Sequence, residues 1–292
     1  MNKIVILGAG MVGSAIAIDL AGNNEVTSVD INEGALSEIN TKDKKIRTIK
    51  SDLSNYENFS GLLEPFDYVI AAVPGFMGYK TLEAVIRAKK NVVDISFSPE
   101  NCLELDSLAK ENNVTAIIDC GVAPGMSNLI LGYYTERMQI DNFECMVGGL
   151  PKLRIKPFEY KAPFSPIDVI EEYTRPARFI ENGQLVTRPA LSDSELIDFE
   201  KAGTLESFNT DGLRSLLFTM AHIPNMKEKT LRYPGHVDLI KALIKGGFFD
   251  QKKINYKGTE LSPLEFSSTI LFNQWKLRKD EEEFTIMQIK IS

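Results

Sequence analysis

Gly8, Gly10 and Gly13 stand at the spacing G-x-G-x-x-G, directly after an unbroken apolar run, Ile4 to Leu7. Small and apolar residues then continue to Leu20 at spacings a helix can bury, so the stretch predicts strand, tight turn and helix. Glycines at this spacing suit a pyrophosphate. Gly8 makes the turn, Gly10 lets the phosphates approach the backbone, and Gly13 lets the helix pack close on the strand. Met11 and Val12 open the helix, whose free N–H groups and positive dipole end face the phosphates. A buried strand meeting a helix through small residues would read the same way, but a second run, Glu25 to Val29, ends in Asp30 about 20 residues on. A carboxylate there accepts hydrogen bonds from ribose hydroxyls and repels the extra phosphate of NADP. Two unit charges about 4 Å apart at an effective dielectric near 20 repel by roughly 4 kcal/mol. Ile31 and Asn32 follow, so no arginine holds that phosphate, and NAD is expected over NADP.

Composition narrows the partners. The 292 residues are enough for two domains. A net charge of -7 leaves no electrostatic footprint for nucleic acid or an anionic membrane. No apolar run approaches the roughly 20 residues of a membrane span, and a strand begins after two residues, so a cytoplasmic protein acting on a small molecule is expected. Cys102, Cys120 and Cys145 are widely spaced, with no C-x-x-C pair and no histidine cluster. Reduced, mostly buried thiols and no metal are expected.

The elements that position the glycine motif follow in alternation. A polar helix is predicted over 33–40 and a strand over 45–50. A buried strand over 68–73 precedes a helix over 78–88, and a strand over 91–95 precedes a helix from about Pro99 to Asn112. A last strand, 115–120, closes the series. Asp52 and Leu53 fall at a strand's carboxyl end, the edge at which open parallel sheets bind ligands, although Asp52 could equally cap the next helix. A doubly wound parallel Rossmann sheet over residues 1–121 is the expectation, followed by a mixed α/β domain over 122–292 with a binding crevice between them. In the second domain helices are expected over 126–138, 211–221, 236–249 and 263–275. Strands are expected over 143–147, stopping at Gly148, and over 283–291. Weak helical periodicity between Pro151 and Arg188 predicts short strands and loops.

Several local motifs carry a family resemblance: Ala72-Val-Pro74, Val93-Asp-Ile-Ser96, Asp119-Cys-Gly-Val-Ala-Pro-Gly125, Val147-Gly-Gly-Leu-Pro151, Glu172-Tyr-Thr-Arg-Pro176, Asp211-Gly-Leu-Arg214 and Lys229-Thr-Leu-Arg-Tyr-Pro-Gly-His236. Together they resemble the saccharopine dehydrogenase-like family, most closely its lysine 6-dehydrogenase branch. The resemblance implies an NAD(P)-dependent oxidoreductase acting at a carbon–nitrogen bond, a homodimer formed through the second domain, and cofactor contacts at Ala72, Val73, Pro74, Ser96 and Asp119. Saccharopine reductases carry an aspartate where this chain has Ala123, a cysteine where it has Val147, and an arginine near Thr210. Their absence, with Asp30, favours NAD-dependent oxidation of L-lysine at its ε-carbon to a cyclising semialdehyde, with release of ammonia. Family members continue past the final strand into a helical tail, so a silent NAD-binding protein stays open beside a saccharopine-type reductase.

Lysine oxidation needs a neutral amine, a hydride acceptor and a grip on the α-carboxylate. Arg175, Arg214 and Arg232 are candidates for the grip, because a guanidinium fork matches a carboxylate with two parallel bonds. Arg214 leads, expected in the first turn of a helix, and Tyr173 joins the substrate set. For the proton the candidates are His236, Asp94, Asp119 and Tyr173. His236 opens an amphipathic helix whose dipole disfavours the imidazolium form. Asp94 sits at a strand's carboxyl end. His222 is expected to pack in an apolar helical setting. For each of these residues a surface ion pair, a cap or a structural hydrogen bond is the competing role.

Overall fold

A run of apolar residues with no polar interruption is stable as a strand only when both its faces are covered. Lys3–Leu7 (β1) meets that condition. Val5 and Leu7 enter one core with Val29, Val69, Leu82 and Val92, whereas Ile4 and Ile6 enter another with Ala17, Val26, Leu36 and Ile39. The computed structural model describes residues 1–162, 166–278 and 280–292. It forms two units, Met1–Met126 and Ser127–Ser292.

In the first unit β1 is followed by α1 (Met11–Leu20), β2 (Glu25–Asp30), α2 (Glu33–Lys42), β3 (Arg47–Lys50) and α3 (Phe59–Leu63). Then come β4 (Tyr68–Ala71), α4 (Gly75–Arg87), β5 (Asn91–Asp94), α5 (Asp106–Asn112) and β6 (Ala116–Ile117). The strands lie in the order β3-β2-β1-β4-β5-β6, and every neighbouring pair is parallel. This is the doubly wound sheet. Its order reverses between β1 and β4, and ligands of such sheets bind outside the strand ends at that switch point. The caps show why α1 differs from α2. The side chain of Asn32 accepts the Gly34 and Ala35 N–H groups at the start of α2, whereas α1 starts at Gly10 with no side-chain cap. Its first-turn donors have no carbonyl within the helix to bind.

The second unit contains α6 (Met126–Thr135, whose first residue ends the first unit), β7 (Asn142–Pro151), α7 (Pro166–Thr174), β8 (Ala177–Glu181), β9 (Gln184–Arg188), β10 (Glu195–Phe199) and β11 (Gly203–Asn209). It continues with α8 (Leu216–Thr219), β12 (Asn225–Arg232), α9 (His236–Lys245), a hairpin of β13 (Ile254–Tyr256) and β14 (Thr259–Leu261), α10 (Pro263–Trp275) and β15 (Glu283–Ile291). The main sheet runs β10-β11-β12-β7-β15, with β8 pairing both β12 and β9. Only β7 and β12 are parallel, so the domain is mixed α/β. Val169, Ile170 and Tyr173 of α7 and Val237 and Ile240 of α9 share a core with Phe208, Leu271 and Trp275.

Several expectations are corrected. The strand expected to stop at Gly148 runs on to Pro151, because Gly148 and Gly149 pair with Ile286 and Thr285 of β15. A Cβ on Gly148 would stand 2.5 Å from the Leu231 carbonyl oxygen, so this glycine marks a close approach of strands rather than a turn. The segment read as loops and short strands contains helix α7 as well as β8 and β9. The helix expected over 211–221 shrinks to Leu216–Thr219, since Asp211 turns its carboxylate to two arginines and Arg214 takes a left-handed φ of 47°. The strand expected over 115–120 narrows to Ala116–Ile117, ahead of Asp119 at φ 52°. The helix placed from Pro99 begins as a 3-10 turn at Cys102 and becomes α-helical at Asp106. His222 is exposed rather than packed. Of the three thiols only Cys145 is buried, Cys102 being intermediate and Cys120 exposed.

Replacing Gly148 with alanine is expected to force β7 and β12 apart and to cost about 1–3 kcal/mol, as overpacking does. Urea unfolding followed by far-UV circular dichroism checks this; an unchanged midpoint would show that the close approach is not required.

Candidate functional site

The glycine motif occupies the switch point, and each glycine answers a different constraint. Gly8 has φ 110°, and a Cβ there would meet the Ala72 carbonyl oxygen at 2.4 Å. A Cβ on Gly13 would meet the Gly8 carbonyl oxygen at 2.1 Å. Gly10 is the exception. Its φ of -68° suits any residue, and nothing lies within 4 Å of the position its Cβ would take. Protein packing therefore explains Gly8 and Gly13, whereas Gly10 keeps a cradle open at an uncapped helix start beside exposed Met11 and Val12. A pyrophosphate fits such a cradle.

Asp30 ends β2 beside this loop. One of its carboxylate oxygens accepts the Ala9 N–H at 2.7 Å and the other the Asn32 N–H at 2.8 Å, so the side chain ties the glycine loop to the end of β2. A carboxylate has about four acceptor sites, and these two bonds leave capacity for ribose hydroxyls. Asp52 accepts from the Ser54 N–H and hydroxyl, which forms an Asx turn at the end of β3 rather than a helix cap. Leu53 points into the core. Ala72 follows β4 with its carbonyl over Gly8, Val73 is buried, and Pro74 immediately precedes α4.

Asp94 ends β5 and is 1% exposed. It accepts from the Ser96 hydroxyl at 2.7 Å and from the Ser96 N–H at 3.1 Å. Burial pushes its carboxyl up to about 7, with the charge of Asp119 adding to the rise and the Ser96 bonds opposing it. A group poised there exchanges protons at neutral pH.

In the second unit the sequence candidates separate into two clusters. The first is a chain of buried hydrogen bonds with a fixed direction. His236 Nδ1 lies 2.9 Å from the Phe158 carbonyl oxygen, which can only accept, so Nδ1 carries the proton and Nε2 is the acceptor. The Tyr173 hydroxyl, 2.9 Å from Nε2, therefore donates to it, and it accepts in turn from Arg232 Nε at 2.9 Å. Arg232 also donates to Glu172 at 2.9 Å, lies 4.4 Å over the Tyr160 ring, and is 2% exposed. Trp275 closes the aromatic wall. Burial, then the charge of Arg232, lowers the His236 pKa to about 3, and burial raises that of Tyr173 to about 12. This corrects the expectation that His236 acts directly as a base: both ring nitrogens are engaged and the ring is held neutral. The cause is desolvation ahead of any helix dipole. Arg232 and Tyr173, expected to bind substrate, are committed to the same chain of bonds.

The second cluster surrounds Asp211. Its carboxylate, 2% exposed as a side chain, accepts from Arg178 Nε and Nη2, each at 2.8 Å, and from Arg214 Nη1 at 2.8 Å. Arg175 pairs with Glu171, and burial followed by the charge of Arg214 lowers its pKa. Three guanidiniums thus gather near Glu171, Asp211 and the buried Glu228, whose carboxylate lies against Gly212, and a guanidinium fork matches the geometry of a carboxylate ligand. Arg214 reaches this place from a left-handed turn, not from the first turn of a helix. Sequence reading missed Arg178 and Asp211. The visible signal was Asp211 three residues before Arg214, a spacing at which the two side chains can meet.

Among the described residues no group of three or more histidine, cysteine, aspartate or glutamate side chains could hold a metal, and no helix is long and apolar enough to cross a membrane. Known families match two successive stretches of the chain. Residues 4–117 match the family described as saccharopine dehydrogenase NADP binding domain, and residues 121–292 match the saccharopine dehydrogenase C-terminal domain. A mitochondrial alpha-aminoadipic semialdehyde synthase of Rattus norvegicus is 22% identical over 285 residues, covering 92% of this chain. The match spans 31% of the rat protein, about a third of its length. A carboxyaminopropylagmatine dehydrogenase of Synechocystis is 21% identical over 300 residues, covering 93% of this chain and 72% of the relative. The solved apo structure of saccharopine dehydrogenase (L-Glu forming) from Saccharomyces cerevisiae has a TM-score of 0.74 at 17% identity, covering 100% of this chain and 81% of the other, and shares the fold.

The buried histidine generates a stability test. An unfolded histidine titrates near pH 6.5, so as pH falls from about 6.5 toward 3 the unfolded chain binds a proton that the folded chain refuses, and stability is lost. At pH 5 the loss is roughly 2 kcal/mol. In His236→Gln the urea midpoint is expected to drop at every pH, but the difference between pH 7 and pH 5 should shrink by about that amount. A difference equal to that of the parent would show that His236 is already charged when folded. Asp94 works in the opposite window, its raised pKa removing stability as pH climbs from about 4 to 7, so Asp94→Asn should flatten that limb.

Proposed function

Because the chain belongs to the saccharopine dehydrogenase family, we propose that it is a nicotinamide-dependent dehydrogenase acting at a carbon–nitrogen bond of an amino-acid substrate. We propose further that the substrate is L-lysine and the acceptor NAD. The observation that carries the dinucleotide reading is Gly10, a glycine that no backbone strain or neighbouring atom requires. Asp30, followed by Ile31 and Asn32, supports NAD, although the matching family and a Pyricularia oryzae relative carry NADP in their names. Ala123, Val147 and Thr210 support lysine over saccharopine. The Thr210 hydroxyl lies buried 3.1 Å from that of Thr230, so no guanidinium serves a second carboxylate from this position.

When bound, the nicotinamide ring supplies the hydride acceptor. The remaining work falls to side chains. The ε-ammonium must lose a proton before a hydride can leave its carbon, and Asp94 is the proposed acceptor, with the Ser96 hydroxyl bonded to it as a route for the proton. Arg214 and Arg175 take the α-carboxylate. The chain Arg232–Tyr173–His236–Phe158 fixes α7 to the start of α9, and Arg175 follows α7 directly, so the buried bonds position the arginine rather than touch the substrate. Loss of hydride from the ε-carbon leaves a carbon–nitrogen double bond. Water adds to that carbon, ammonia departs, and the α-amine closes on the semialdehyde. A saccharopine-type reductase is the second reading, favoured by the similarity to the Pyricularia oryzae saccharopine dehydrogenase.

The test is NADH formation with L-lysine and NAD at mildly alkaline pH, with saccharopine and NADP run in parallel. Turnover of lysine is expected; turnover confined to saccharopine would move the assignment to the reductase. Arg214→Ala should raise KM for lysine by about tenfold or more while the fold is kept, as expected on losing a charged hydrogen bond. An unchanged KM would remove it from the site. Gly10→Val should unfold at the parent's temperature yet lose NADH binding, and binding retained by that variant would defeat the cradle. We also propose a homodimer through the second unit, so light scattering is expected at twice the 32.6 kDa chain mass.

A further inference from the structure

We infer that the Glu33–Lys50 ion pair sets which dinucleotide this chain accepts: Glu33 withholds the lysine that would otherwise bind a ribose 2′-phosphate. The inference rests on the dinucleotide reading above and names two residues that reading does not use. Asp30 marks the ribose end of the cradle, because an acidic residue ending the second strand meets the ribose hydroxyls. A 2′-phosphate would therefore lie within a few ångströms of the end of β2. Asn32, whose side-chain oxygen caps α2, is neutral and brings no positive charge to that phosphate.

The cation nearest by register is Lys50, which stands opposite Asp30 on β3. Its Nζ lies 2.9 Å from Glu33 Oε1, at the first residue of α2, and the hydrogen bond from Lys50, then its charge, holds the Glu33 carboxyl below its usual range. Both side chains are more than half exposed, at 58% and 73%, so neither is locked by packing. Asp52 places a further carboxylate two residues beyond Lys50. The ribose end thus carries Asp30, Glu33 and Asp52 against one ammonium. With NAD this balance needs no adjustment.

A 2′-phosphate brings close to two further negative charges and so finds an acidic surface. It competes for Lys50, however, against only an exposed ion pair, which is weak beside a charge-assisted bond from ammonium to phosphate. A four-carbon stem lets Lys50 change partners. The outcome is preference for NAD without exclusion of NADP, with the discrimination held in residues beside Asp30 as well as in Asp30.

Equilibrium binding of NADH and NADPH, followed by nicotinamide fluorescence on the purified full chain, tests this without any substrate. Glu33→Gln should tighten NADPH by about tenfold and leave NADH within about twofold. Lys50→Met should weaken NADPH by about tenfold, again sparing NADH. The gain in Glu33→Gln should fade as salt is raised. Equal shifts for both nucleotides, or NADPH affinity unaltered in Lys50→Met, would overturn the inference while the dinucleotide reading stands. No NADH binding by the parent chain would overturn both.

Discussion

The close contact between the end of β1 and the loop after β4 is the constraint on which the nucleotide unit depends. The Ala72 carbonyl lies over Gly8, and the Gly8 carbonyl lies against Gly13 in α1. No side chain fits in either place. Because β1 and β4 are neighbours at the point where the strand order reverses, the same contact that closes the core also opens the loop end of the sheet. Asp30 completes the fixture by accepting the Ala9 N–H, so the loop is held from both sides while Gly10 between them stays uncovered.

The second unit solves a different problem. It buries an arginine, a histidine and two tyrosines, and an unpaired polar group in such a place costs more than a hydrogen bond returns. Every link in the chain from Arg232 through Tyr173 and His236 to the Phe158 carbonyl has a partner, and its direction is dictated by the one group that can only accept. Such a network is fit for holding elements in register. It is poorly fit for exchanging protons with a ligand, because the histidine is kept neutral by burial and has no unused nitrogen. The cluster at Asp211 is different in kind: Arg178 and Arg214 share the Asp211 carboxylate and Arg175 pairs with Glu171, so planar guanidinium forks rather than a histidine and tyrosines make up its donors.

The two acid–base groups show how burial alone can send residues to different roles. Asp94 and His236 are both nearly excluded from water. Desolvation favours the neutral form of each, which raises the acid toward neutrality and drives the base far below it. Asp94 is therefore tuned into the range where proton transfer is useful, and His236 out of it.

The sequence determined the nucleotide unit in nearly all its elements, because a parallel sheet covered on both faces leaves continuous apolar runs, and the glycines and Asp30 lie at short, fixed spacings along one chain. Both kinds of signal are local. The strand elements of the second unit were far less legible: β10, β11 and β12 lie half-exposed or carry charged residues such as Lys229 and Arg232 that are neutralised by partners distant in sequence. Gly148 read as a terminus because the strand that requires its lack of a side chain, β12, lies some 80 residues on. Resemblance of motifs identified the family and singled out Arg175, Arg214, Arg232 and His236. Only the tertiary structure decided which of them are sealed in a buried hydrogen-bond chain and which gather around Asp211, since that depends on what each side chain meets across strands and helices rather than on its neighbours along the chain.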